Sequence, residues 1–210
     1  MITGIDLDKK IIAPNPEVDL KRYTSDEMLK FCTMQIKFHR KIVNDIAKKI
    51  SKEYPEHDED KMNNSYTHYA YAILWNTKTA HKQTNIPKEI IDEAKRLQHN
   101  HHIMNPHHIE HWCSIENFKK PPIDGTVMPM EFIEEMCCDW MSMSVARGQT
   151  TLDWFESVID KNFIFTKNQI DLIRKTINQA EPQEKNKVHV PLFRDDFSPI
   201  TVSKIGNNER

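Results

Sequence analysis

Between Gly4 and Gly125 this chain contains no glycine, and only Gly148 and Gly206 follow. Glycine is the usual residue for left-handed turns and close backbone crossings. A stretch of that length without one is hard to fold as a sheet protein with many tight turns. The same stretch is rich in Glu, Lys, Met, Ala and Ile, which favour helices. Runs of alternating apolar and polar residues, the mark of half-buried strands, are scarce. The sequence therefore predicts an all-α fold.

The apolar spacing divides the chain. Residues 1–23 contain Pro14 and Pro16 and show no helical period, so they predict an irregular arm. Thr24 or Ser25 can cap a first helix running to about Lys52. Its stripe is Met28, Phe31/Cys32, Gln35, His39, Ile42/Val43, Ile46 and Ile50, in steps of three and four. Pro55 separates it from a second helix near 58–82, carrying Tyr66, Tyr69, Ile73 and Leu74. Pro87 suits the first turn of a third, 87–103, which ends before Asn105-Pro106. A loop over 117–129 leads to a fourth helix, 129–147, stopped by Gly148. Thr151 is expected to cap a fifth helix over 152–161, and Thr166 a sixth reaching Ala180. Residues 24–180 thus form one helical domain, and 181–210 an irregular tail. With 210 residues, one domain with tails is the natural division.

Composition removes several function classes. Lys+Arg number 29 and Asp+Glu 31, so no general field draws in nucleic acid or an anionic membrane. Cys32, Cys113, Cys137 and Cys138 form no C-x-x-C and make a poor disulfide framework. They read as reduced thiols of a cytoplasmic protein. The N-terminus has no apolar signal region and no apolar run is long enough to span a bilayer. The P-loop, the dinucleotide glycine fingerprint and G-x-S-x-G are absent from the sequence.

Histidine is where chemistry enters. There are 11, six of them at positions 99, 101, 102, 107, 108 and 111. His39 sits on the apolar stripe of the first helix. A lone histidine there would be a core side chain bonded to a carbonyl; as a ligand it needs company. His57-Asp58 provide it, since adjacent residues at a helix start can reach one point. An imidazole beside a carboxylate suits Mn, Fe, Co, Zn or Ni. Asp139 falls on the stripe Phe132, Met136, Asp139, Met143 and Ala146 of the fourth helix, with Glu135 one turn earlier. A buried carboxylate must be neutralised by a metal, a base or a proton. The remaining histidines cannot all ligate one ion, which takes four to six ligands. Which of the six bind stays open from the residues alone.

The order His39, His57-Asp58, Asp139 resembles the H…HD…D signature of the HD-domain metal-dependent phosphohydrolases. HDEDK at 57–61 resembles their HD-x-x-K form, with Lys61 in the lysine position. The chain is closer still to a group of small helical proteins of phages, large viruses and bacteria. These carry HD-x-S-K, N-x-HH-x-E-[YH]-W and EM-x-x-DW, matched here by HDEDK, NPHHIEHW at 105–112 and EMCCDW at 135–140. The resemblance spans about residues 30–180 by motif order. HDEDK departs from it in having Asp60 at the serine position.

The resemblance implies an HD-like bundle with a divalent metal held by His39, His57, Asp58 and Asp139. A second ion would use His102 with His107 or His108. The implied activity is hydrolysis of a nucleotide or another small phosphate ester by a metal-activated water. Lys61 would stabilise phosphoryl charge, and Asp58 or Glu135 would position or deprotonate the water. The expected partner is a small phosphorylated molecule, in the cytoplasm (the host's, if the source is viral). Two other readings remain: a di-iron oxygenase on an HD-like fold, and a non-catalytic, metal-stabilised viral binding protein.

Overall fold

The computed structural model describes residues 11–13, 26–63, 87–113, 120–147 and 150–181. Their elements are α1 (Asp26–Ala47), continued by a 3-10 turn at Lys48–Ile50, α2 (Glu59–Asn63), α3 (Lys88–Met104), a 3-10 turn at Ile109–Trp112, β1 (Ile123–Asp124), α4 (Met130–Arg147), α5 (Thr151–Val158), β2 (Phe163–Ile164) and α6 (Lys167–Ala180). The all-α expectation holds. The only strands among the described residues are the two-residue β1 and β2, which pair in parallel.

α4 is the central helix, lying against α1 on one side and α6 on the other. Its most buried face is Ile133, Cys137, Met141 and Ser144, at helical steps of four, four and three. The stripe expected to face inward, Phe132, Met136, Asp139 and Met143, is mostly half-buried. A helix held between two neighbours buries two faces, so a single-stripe reading picks out one flank. Asp139 stands on that flank. On α1 the buried stripe is Cys32, Ile36, Val43, Ile46 and Ala47. His39 completes its spacing and is 13% exposed. Each fully buried large side chain here, such as Ile36, Ile133, Phe155 or Ile173, contributes about 1.5–3 kcal/mol of burial.

Local chemistry sets the element ends. Ser51 takes a left-handed conformation and closes the 3-10 turn, so the first helical run stops short of Lys52. Pro87 is the N-cap of α3 and so lies just outside its first turn. Thr150, not Thr151, caps α5: its hydroxyl accepts from the Asp153 N–H. α5 ends at Val158, and a turn with Asp160 at φ 62° replaces the extra helical turn expected to 161. Thr166 caps α6 through a capping box with Gln169. Gln169 is buried, and its amide also donates to the carbonyls of Gly125, Thr126 and Met128. It ties the β1–α4 turn to α6.

Of the N-terminal arm, residues 11–13 lie on α3. Ile12 N–H donates to Asn100 Oδ1, and Ile12 O accepts from Asn100 Nδ2 and Arg96 Nη1. The rest of the arm, the second helix beyond Asn63, the caps at Thr24 or Ser25, Gly148 and the tail beyond Glu181 lie outside the described residues.

Candidate metal centre

The α1–α2 connection delivers the first two groups. Asp58 has φ 57°, a left-handed conformation that is uncommon outside glycine and that aspartate tolerates better than most residues. α2 begins immediately afterwards. The tight turn lets neighbouring side chains meet: His57 Nε2 lies 3.8 Å from Asp58 Oδ1. Both residues are 2% exposed.

Asp58 is the hub of two groups. On one side, His39 Nε2 lies 3.5 Å from Asp58 Oδ2 and 3.0 Å from Asp139 Oδ1. His57 Nε2 lies 3.2 Å from His39 Nε2 and 3.7 Å from Asp139 Oδ1. On the other side, Asp58 Oδ1 is 3.3 Å from His101 Nε2 and 3.6 Å from His107 Nε2. His108 Nε2 stands 3.0 Å from His101 Nε2. The potential ligand atoms of Asp58, His101, His107 and His108 all lie within 4.8 Å of one another, as do those of His39, His57 and Asp139. Ligands about 2.0–2.2 Å from a common ion stand roughly 3.0–3.5 Å apart. The shorter separations, 3.0 Å for His39–Asp139 and His101–His108, 3.2 Å for His39–His57 and 3.3 Å for His101–Asp58, match that spacing, and the others reach 3.8 Å.

The far sides of the rings fix their tautomers. Ser142 donates its hydroxyl hydrogen to Asp139 O, so its oxygen accepts from His39 Nδ1–H at 3.2 Å. Glu135 Oε1 accepts from His57 Nδ1 at 2.9 Å and lies 3.4 Å from His107 Nδ1. Asp60 Oδ2 accepts from His101 Nδ1 at 2.8 Å. Nδ1 of His39 and of His57 therefore carries the proton and their Nε2 atoms turn a lone pair toward Asp58, while at His101 Asn105 Nδ2 also lies 2.9 Å from Nδ1. Two facing lone pairs at 3.2 Å, with carboxylates around them, require a cation or a proton between them. Asp58 Oδ1 and His107 Nε2 are buried with no hydrogen bond among the described residues. The residues thus fit a metal ion on an observed deficit as well as on spacing.

The electrostatics of these side chains agree. Burial alone would lower the His57 pKa, but hydrogen bonds to Asp139 and Glu135 and the charge of Asp58 push it up to about 10. Burial, reinforced by the charge on His57, pushes His107 down to about 3. Burial opposes ionisation of Asp58 and Asp139. Lys61 and His101 nevertheless hold Asp58, and His39 and His57 hold Asp139, well below the usual carboxylate range.

Several residues fall elsewhere than the sequence predicts. His101, not His102, reaches Asp58. Along α3 it continues the buried steps Ile90, Ala94 and Leu97, a period that was available to find it. His102 is one step further round, 25% exposed, with Nδ1 3.3 Å from Glu110 Oε1. It joins His108 and Glu110 in a third group, so His108 borders two. Lys61 donates to Asp58 Oδ2 at 2.7 Å and neutralises that carboxylate directly. Glu135, expected to handle water, stands behind two imidazoles with its Oε1 on their Nδ1 atoms. Asp60 and Ser142 were not singled out for this role, and no local pattern marks them. His111 meets the Ile103 carbonyl, and neither it nor His99 belongs to these groups.

Fold and site together define an all-α protein with buried histidine–carboxylate clusters able to hold a metal ion. The model of the Family of unknown function (DUF5662) matches residues 28–189, and the chain belongs to that family. That span contains every residue of the clusters. No curated protein and no solved structure matches the chain.

Proposed function

We propose that this protein is a metal-dependent phosphohydrolase of the HD-domain type, acting on a nucleotide or another small phosphate ester. The observation that carries the reading is the sharing of Asp58 between two groups of imidazole Nε2 atoms, with carboxylate or hydroxyl oxygens behind His39, His57, His101 and His107. His39, His57, Asp58 and Asp139 would hold one divalent ion, and Asp58, His101, His107 and His108 a second. Such ions lower the pKa of water and polarise phosphoryl oxygens.

The chain's own residues then have separate tasks. Asp58 spans both groups, and Lys61 balances its charge from the Oδ2 side. Glu135 and Ser142 stand at Nδ1 of His39, His57 and His107 and so direct their Nε2 atoms toward the ion positions. A covalent thiol route has no support. All four cysteines are buried, and burial pushes the thiols of Cys32 and Cys138 up to about 12. A thiol without its thiolate is a poor nucleophile.

The three imidazoles around Asp58 Oδ1 favour one second reading, a di-iron oxygenase, because imidazole suits iron as well as zinc. A non-catalytic metal-stabilised binding protein would share the metal and lack turnover. Among the described residues no helix is long and apolar enough to cross a membrane.

The test is phosphate release by the stripped protein reloaded with Mn²⁺ or Co²⁺, over a panel of nucleoside monophosphates and generic phosphomonoesters. Wild type should release phosphate and Asp58→Asn should not. Equal release by both across the panel would assign the activity to a contaminant. Iron-dependent oxygen uptake without phosphate release would select the oxygenase.

A further inference from the structure

We propose that Asp60 is a positioning residue, holding His101 in the orientation and tautomer that its half of the centre requires. The inference rests on the metal reading above and goes beyond it. It concerns a residue that touches neither ion position nor substrate.

The geometry is a relay across two helices. Asp60 lies in the first turn of α2 and His101 in the last turn of α3. Asp60 Oδ2 meets His101 Nδ1 at 2.8 Å, and His101 Nε2 meets Asp58 Oδ1 at 3.3 Å. The relay therefore leaves α2 at Asp60 and returns to Asp58 just before it. His101 is buried; Asn105 Nδ2 also lies 2.9 Å from its Nδ1, and Asp60 is the carboxylate on that side of the ring. A carboxylate behind a ligating imidazole fixes its tautomer and raises its basicity.

The other histidines are held differently. His39 has a neutral hydroxyl behind it, and His57 and His107 share Glu135. Among the described residues the hydrogen bond of Asp60 goes to His101, so its loss should unbalance the centre and leave the other half in place.

The experiment is Co²⁺ titration of the stripped full-length protein, read by visible absorption and by elemental analysis. Wild type should take two equivalents. Asp60→Asn keeps the size and loses the charge. It should retain one equivalent at wild-type affinity and bind the other roughly 10–100-fold more weakly. Asp60→Glu should recover part of the loss. In a His101→Ala background, Asp60→Asn should change nothing further, because a residue acting only through His101 has nothing left to act on. If Asp60→Asn does not fold, Asp60→Ser takes its place in the same comparison.

Two equivalents at unchanged affinity in Asp60→Asn would overturn the inference and leave the metal reading intact. Equal weakening of both equivalents, or a further loss in the His101→Ala background, would overturn it too. No Co²⁺ on wild type would overturn the metal reading and this inference with it.

Discussion

Glu135 grips His57 from behind, its Oε1 2.9 Å from the ring Nδ1. The same oxygen is 3.4 Å from His107 Nδ1, so one carboxylate stands behind an imidazole of each group. Glu135→Gln should weaken both equivalents of bound metal, each by roughly 10–100-fold. That pattern contrasts with the one-sided loss expected at Asp60. A titration of Glu135→Gln that leaves either half at wild-type affinity would contradict the shared grip.

His39→Ala and Asp139→Ala each remove a ligand from the same half. Metal binding adds to folding free energy when the unfolded chain has no site. At a free ion concentration of about 100 times Kd the gain is about 2.7 kcal/mol per site. Wild type should melt higher with Co²⁺ than with a chelator, and both variants should show a smaller difference. Melting curves with the wild-type difference would place the metal elsewhere.

The protonation of the ion-free site gives a pH signature. His57 is raised from 6.5 to about 10, so its contribution to stability is fully present below 6.5 and is lost as pH rises toward 10. His107 is lowered from 6.5 to about 3, so stability falls as pH drops through that interval. The chelated protein should therefore be most stable near neutrality. With metal bound, His57 gives up its proton and the alkaline loss should shrink. Loading at pH 7.5 should release about one proton from His57, measurable by calorimetry in buffers of different ionisation enthalpy. Heats that do not depend on the buffer would argue against a protonated His57.

Gln169 tests the scaffold apart from the site. Its Nε2 serves the carbonyls of Gly125 and Met128 at 3.0 and 2.8 Å, and its Oε1 accepts from Thr166 N–H. Gln169→Leu strips these buried groups of their partner and should cost about 1–3 kcal/mol. Metal stoichiometry should not change, because the hydrogen bonds of Gln169 go to Thr166, Gly125, Thr126 and Met128 and not to a cluster residue. Chemical denaturation and elemental analysis of one preparation would check both halves of the statement.

The helical character, most helix spans and the grouping of His39, His57 and Asp139 were legible in the residues. The absence of glycine over 5–124 and the three-and-four spacing are local properties, and they survive into α1, α3, α4 and α6. His39 and Asp139 were legible because a polar residue stood on an apolar period. His57-Asp58 were legible because a helix start lets neighbours converge. The histidine run at 99–111 was legible as a group, but not in its internal assignment. His101 and His102 differ by one step around α3, and only the placement of that helix against Asp58 decided which ring turns inward. The same holds for the supports. Asp60, Glu135 and Ser142 act across gaps of 41, 78 and 103 residues. Local periodicity carries no information about such pairs. The tertiary structure alone decided which oxygen stands behind which imidazole, and hence which nitrogen keeps a free lone pair.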